Sequence, residues 1–234
     1  MRLLLIRHGE SLGNRAWSEG RDTLRYVDPG LTDLGHTQAE RLAAAFADGR
    51  LPRPDHLLTS LMRRAVETAA PVSAALDLPV VGLPEAHEIG GVYKGEYGTP
   101  GVVPRPGEGR SALERICPGI SLPDSVTEDG WFFGDVEPRM ASWPRAQRVA
   151  ADLLARYGPD DAVVALVAHG FLMQLVTRAF LEWVPDLTTP SLAQWLHINN
   201  TGTFYLSIPG PYGSKVLLHW INRTDHLTPD QITE

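Results

Sequence analysis

The 234-residue chain contains a single cysteine, Cys117. One thiol closes no internal disulfide, so a reducing compartment is the expectation. Cys117 stands in the stretch RICPGISLP with no histidine near it in sequence, which marks it as a bystander rather than a nucleophile. Long apolar runs are also missing. No stretch approaches the roughly 20 apolar residues that a bilayer-spanning helix needs. The N-terminal run Leu3–Ile6 is shorter than the apolar core of a secretory leader. A cytoplasmic protein is expected. Net positive charge is lacking as well: 21 Lys+Arg stand against 28 Asp+Glu, a formal balance of -7. That balance argues against a general nucleic-acid or anionic-membrane binder. Any basic pocket must be built from particular residues. Internal repeats and low-complexity tracts are absent.

What remains is an ordinary globular composition, 43% hydrophobic and 21% charged, in a chain long enough for a substantial core. Residues 2–6 read as a strand covered on both faces. Residues 31–47 read as a helix entered through Thr32 as N-cap, with Ala39, Leu42, Ala43 and Phe46 as its apolar stripe. A strand at 56–60, a helix at 63–76 interrupted by Pro71, and an edge-like strand at 78–84 follow. Further on come an amphipathic helix at 143–157, a strongly apolar strand at 161–170, a helix at 171–184 and a closing strand pair at 201–208 and 214–221. Alternating strands and helices imply an α/β fold. A three-layer sandwich is expected, with a largely parallel central sheet flanked by helices, in one domain over 1–234. Residues 96–142 differ in kind. They hold Pro100, Pro104, Pro106, Pro118, Pro123 and Pro138 together with Trp131, Phe132 and Phe133. Too aromatic for a disordered linker, this stretch reads as an ordered insertion forming a cap or lid.

In open α/β sheets, ligands bind beyond the carboxyl ends of the strands. Arg7 and His8 follow the first strand, Arg63 and Arg64 the second, and His169 ends the strongest one. If these strands are neighbours, cations and imidazoles converge on one crevice, and helix N-termini add N–H donors and partial positive charge. The guest such a crevice suits is a phosphoryl dianion.

RHGES at 7–11 with Asn14, LTDLGHTQA at 31–39, TSLMRRAVETA at 59–69, HEIGG at 87–91 and VAHG at 167–170 together resemble the histidine phosphatase superfamily, also called the phosphoglycerate mutase-like family. Each motif is short, but five in this order are specific. The resemblance implies His8 as the phosphoryl-accepting nucleophile and Arg7 as a clamp. Ser60, Arg64-Ala65 and Thr68-Ala69 fit the second motif's frame, which selects Arg64 rather than Arg63 as the other clamp. His169 matches the second pocket histidine and Glu88 the proton donor. Ser11, Asn14, Gly9 and Gly170 are implied as substrate-binding.

The chemistry of these residue types agrees. A neutral imidazole is a capable nucleophile near pH 7 once one ring nitrogen is fixed as donor, and a backbone carbonyl beside Gly9 could fix it. Gly9 itself is explained either by a Cβ crowding the phosphate or by a positive φ. Arg7 and Arg64 can each grip phosphate with paired N–H bonds, and a protonated His169 would add another donor. A carboxyl group beside the phosphate can supply the leaving group's proton and then act as base on water. Glu85 competes with Glu88 for this role, and the Ile-Gly-Gly that follows favours Glu88. With arginines stabilising the charge, no metal or cofactor is expected, and HEIGG carries Gly91 where a zinc HExxH motif needs His.

Tyr93, Tyr97, Trp131, Phe132 and Phe133 are candidates to line the substrate mouth. Arg105, Arg110 and Arg115 are candidates for a second anionic group, with solvated surface charge as the competing reading. Trp143, Trp183 and Trp195 read as core or interface. The expected activity is metal-independent hydrolysis of a small phosphomonoester through a phosphohistidine. The alternatives are a phosphoglycerate mutase, against which HEIGGVYKGEYG departs from the ERxYGxLxG-type block, and a non-catalytic phosphate-binding module. Neither a nucleic-acid nor a membrane partner is expected. The closing strand pair and exposed aromatics offer a surface on which a homodimer could form.

Overall fold

The computed structural model describes residues 1–21, 26–182, 196–209 and 215–234. Trp183, Trp195 and the ends of the expected elements at 183–184 and 214 lie outside them. Six strands form the central sheet: β1 (Arg2–Arg7), β2 (His56–Thr59), β3 (Val80–Gly82), β6 (Val163–Ala168), β7 (Thr203–Ser207) and β8 (Leu217–Arg223). Their order is β3-β2-β6-β1-β7-β8. The pairs β2–β3, β2–β6 and β1–β6 are parallel, while β1–β7 and β7–β8 are antiparallel. β4 (Tyr93–Lys94) and β5 (Val103–Pro104) make a separate small hairpin.

Strand alternation builds the two flanking layers. Leu4 and Ile6 of β1, with Val163, Ala165 and Val167 of β6, face α2 (Asp33–Ala47) and α3 (Arg63–Leu76). Leu3 and Leu5, with Val164, Leu166 and Ala168, face α5 (Ser142–Tyr157) and α6 (Gly170–Phe180). All four apolar side chains of β1 are fully buried, each stabilising the fold by about 1.5–3 kcal/mol. Burial on both faces is why RLLLI reads as an unbroken apolar run.

Two local features depart from the sequence reading. The helix α3 runs straight through Pro71. A short helix α1 (Leu12–Ser18) was not anticipated. Its signal is subtle, since Ser11 and Asn14 form a capping box with Asn where Glu or Gln is usual. Among the described residues, no helix is long and apolar enough to cross a membrane.

The 96–142 excursion is ordered and includes α4 (Arg110–Ile116). Leu113, Cys117, Ile120, Val126 and Trp131 join the same core cluster as α2 and α3. The part of the excursion that carries these residues is thus a wall of the core. Ser121 also bridges Val81 in parallel, covering the open edge of β3.

Candidate active site

Strand register brings the polar residues together. Arg7 lies opposite Ala168, and Thr59 lies opposite Val167. The next residues, His8, His169 and Ser60, therefore leave three adjacent strands within one residue of the same level. His8 N–H still bonds Ala168 O at 3.0 Å, and Ser60 N–H bonds Val167 O at 2.9 Å. The two imidazoles sit 5.2 Å apart between ring centroids.

His8 is held at both ring nitrogens. Nδ1 lies 2.7 Å from Gly9 O, and Arg64 Nε donates to Nε2 at 3.0 Å. A carbonyl can only accept, so Nδ1 carries the proton and Nε2 the lone pair. Burial, then the Arg64 and Arg7 charges, push the His8 pKa well below 6.5, and the ring is neutral. Its carbonyl is held by Asn200 Nδ2 at 3.1 Å and Thr201 N at 3.3 Å. Gly9 N–H donates to Thr68 Oγ1 at 3.0 Å, and Glu10 N–H to Gln38 Oε1 at 2.7 Å. The Glu10 carboxylate accepts Thr32 Oγ1–H at 2.6 Å, so it ties this loop to the start of α2.

The φ of Gly9 is not positive, so that expected reason does not apply. A Cβ there would lie 2.6 Å from Gly35 O, so α2 packing on the loop already demands glycine.

His169 is fully buried. Its Nε2 meets Ser60 Oγ at 2.8 Å, while Ser60 Oγ accepts Met62 N–H at 3.3 Å. The buried His169 Nδ1 has no hydrogen-bond partner. Burial first, then Arg64 and His8, lower the His169 pKa well below 6.5. That direction makes the ring neutral, where the sequence reading allowed a protonated one.

The two clamps differ in surroundings. Arg64 Nη1 lies 3.7 Å from Asp28 Oδ1, with side chains only 10% and 6% exposed. Arg7 donates from Nη1 to Ile198 O and leaves its buried Nε without a partner. Burial lowers Arg7 to about 10 and Arg64 below its usual value, and both remain cationic at neutral pH. Arg63 points elsewhere, its Nε on Glu67 at 2.7 Å.

Glu88 takes the N-terminus of α6. Its Oε2 accepts Phe171 N–H at 3.1 Å and its Oε1 accepts Leu172 N–H at 3.2 Å and Ile89 N–H at 3.0 Å. Two of the α6 N–H groups expected for phosphate, those of Phe171 and Leu172, are therefore already used. Glu85 is exposed and pairs with Arg148 at 2.9 Å. A Cβ on Gly170 would meet Arg7 Nε at 3.6 Å, an ordinary contact.

Arg7, His8, Ser11, Asn14, Arg64 and Glu88 open onto one cavity of about 540 Å³. Ser11 caps α1: its N–H and Oγ–H both go to Asn14 Oδ1, at 3.1 and 2.8 Å. That leaves the Asn14 amide NH₂ as the donor to the cavity. Tyr93 and Tyr97 line its mouth. Trp131 instead packs in the core, and Phe132 covers Gly91, while Phe133 is 64% exposed. Arg110 bonds Val126 O and Pro123 O, and Arg105 bonds Pro104 O. Neither arginine, nor Arg115, lines this cavity. Among the described residues, no three His, Cys, Asp or Glu side chains gather as a metal site. Asp28 and Asn200 were not singled out from sequence, and Thr68 entered only as part of the second motif's frame. Asn200 carries only a faint mark, an Asn pair just before β7.

Residues 3–97 match the profile of the histidine phosphatase superfamily, branch 1. The matched segment is less than half of the chain, and over that stretch the chain is similar to this superfamily. The 2,3-bisphosphoglycerate-dependent phosphoglycerate mutase of Mycobacterium leprae is 45% identical over 67 residues, 29% of this chain and 25% of that protein. The mutase of Corynebacterium efficiens is 36% identical over 83 residues, 34% of this chain and 31% of that protein. The chain thus matches about a quarter to a third of the length of these curated relatives. Solved structures carry the histidine phosphatase fold through the rest. A mutant phosphoserine phosphatase from Entamoeba histolytica, in complex with phosphoserine, superposes with TM-score 0.62 at 21% identity, covering 97% of this chain and 99% of that one. A mycobacterial glucosyl-3-phosphoglycerate phosphatase in complex with VO3 superposes with TM-score 0.61 at 21% identity, covering 94% and 98%.

Proposed function

We propose that this protein hydrolyses a small phosphomonoester through a phosphohistidine on His8. The observation that carries the reading is the neutral His8 ring, anchored at Gly9 O and held at its nucleophilic nitrogen by a buried guanidinium. Two desolvated arginines around an open cavity are costly without an anion. A phosphoryl group supplies one.

The arriving dianion draws Arg64 from His8 Nε2 onto a phosphoryl oxygen, which bares the lone pair. Arg7, through its unpartnered Nε, and the Asn14 amide hold the remaining oxygens. Nε2 attacks phosphorus in line with the scissile P–O bond, and the alkoxide leaves with a proton from Glu88. In the second half, the Glu88 carboxylate takes a proton from water. The water oxygen bonds phosphorus, the P–N bond breaks, and phosphate departs. Phosphomonoesters are also the substrates for which the two structural neighbours are named.

EDTA-treated protein is expected to hydrolyse an aryl phosphate and, on rapid quenching, to carry an acid-labile, alkali-stable phosphoryl adduct. His8→Ala should abolish both while leaving the circular dichroism spectrum unchanged. Retained turnover in that variant removes His8 as nucleophile. Isomerisation of phosphoglycerate that needs a bisphosphate primer and releases no phosphate would favour a mutase instead.

A further inference from the structure

We infer that the buried Arg145–Glu137 ion pair is the positioning device for Glu88, an inference that rests on the reading of Glu88 as the proton donor. The α6 N–H groups hold the Glu88 carboxylate, but its backbone belongs to an irregular segment after β3 that no strand or helix ladder sets in place. Arg145, on the first turn of α5 and 3% exposed, reaches across to that segment. Its Nη1 donates to two of the segment's carbonyls, Glu85 O at 2.7 Å and His87 O at 2.9 Å. Its Nε and Nη2 form a bidentate pair with both Glu137 oxygens, at 2.6 and 2.7 Å.

Glu137 closes the other side. Its N–H donates to Gly90 O at 3.1 Å, and its carbonyl accepts Tyr97 Oη–H at 2.9 Å. The carbonyls of residues 85, 87 and 90 are therefore all fixed by this pair of residues, and Glu88 lies between them. His87 adds a further restraint. Its Nδ1–H donates to Glu88 O at 2.8 Å, and its ring packs edge-on against Phe132 at 5.2 Å.

A buried ion pair is weak evidence for stability, since desolvation offsets most of the attraction. A planar fork that serves four acceptors in fixed directions does give orientation, and an ammonium cannot reproduce it. Glu137 comes from the 96–142 excursion, so that wall helps set the aim of a carboxylate on the far side of the cavity. Neither Arg145 nor Glu137 lines the cavity. They act through Glu88 and touch no substrate.

The test compares kcat/KM for a simple alkyl phosphate with that for p-nitrophenyl phosphate in wild type, Glu88→Ala, Arg145→Lys, Glu137→Gln and the double variant Glu88→Ala/Arg145→Lys. An aryl leaving group needs little protonation and an alkoxide needs it fully. The ratio is internal to each preparation, so partial loss of folded protein cancels. Glu88→Ala should lower the alkyl-to-aryl ratio about 100-fold or more. Arg145→Lys and Glu137→Gln should each lower it roughly tenfold, as a displaced catalytic group does. The double variant should show no further fall in the ratio beyond Glu88→Ala. Equal losses on both substrates in Arg145→Lys and Glu137→Gln would overturn the inference and leave the proton-donor reading intact. An unchanged ratio in Glu88→Ala would overturn both.

Discussion

Arg64 Nε lies 3.0 Å from His8 Nε2, so the guanidinium occupies the lone pair of that nitrogen. The contact excludes protonation at Nε2 and keeps the ring in one tautomer. It also means that a phosphoryl group and His8 compete for the same N–H. Arg64→Lys retains the charge but loses the fork. It should lower kcat/KM for an aryl phosphate about 10²- to 10³-fold, as loss of a transition-state donor does, and weaken inhibition by vanadate. Unchanged vanadate affinity would place the anion elsewhere.

The buried His8 ring should stay neutral well into acid. Its pKa is depressed chiefly by burial and then by Arg64 and Arg7. In proton NMR, the His8 ring signal, identified by its loss in His8→Asn, should show no titration step near 6.5. A midpoint at or above 6.5 would contradict the desolvated, arginine-flanked site.

Acid should destabilise the fold through its histidines. Burial holds His226 at about 4, and burial with the Arg145 charge holds His87 at about 4. On unfolding, both return to about 6.5. Between these values the unfolded chain carries protons that the folded chain does not, so stability falls as pH falls. Each contributes a slope of about 1.4 kcal/mol per pH unit. His8 and His169 act in the same direction. Asp28 opposes them, since burial raises it from 3.8 to about 6, and the folded chain holds its proton first. Urea unfolding at pH 6.5 and pH 5 should show the net loss, and His226→Gln should flatten the slope by about one proton. An unaltered slope would mean that His226 titrates normally when folded.

Trp131 separates a wall from a lid. It is 6% exposed and shares a core cluster with Leu113 and Cys117. Trp131→Ala should cost about 3–5 kcal/mol of stability, read as a lower thermal midpoint. A variant with an unchanged midpoint and an altered KM would make the segment a mobile cover.

Legibility followed the range of the forces involved. The strands and helices of the sheet could be read because burial on both faces leaves unbroken apolar runs such as Leu3–Ile6 and VVALVA. The choice of Arg64 over Arg63 could be read only from the family frame. The structure adds the local reason: consecutive helical residues point about 100° apart, one at His8 and the other at Glu67.

By itself, the sequence determined the alternation of strands and helices, the polar residues at three strand ends, and the chemistry those residues can perform. These are written in side-chain type and short-range periodicity. Only the tertiary structure decided that Glu88 caps α6, that Gly9 yields to Gly35, and that Trp131 belongs to the core. It also decided that Arg145 and Glu137 bracket the Glu88 segment. Each of those relations joins residues that are dozens of positions apart or lie on different elements. Packing geometry sets such contacts, and no local pattern in the chain records them.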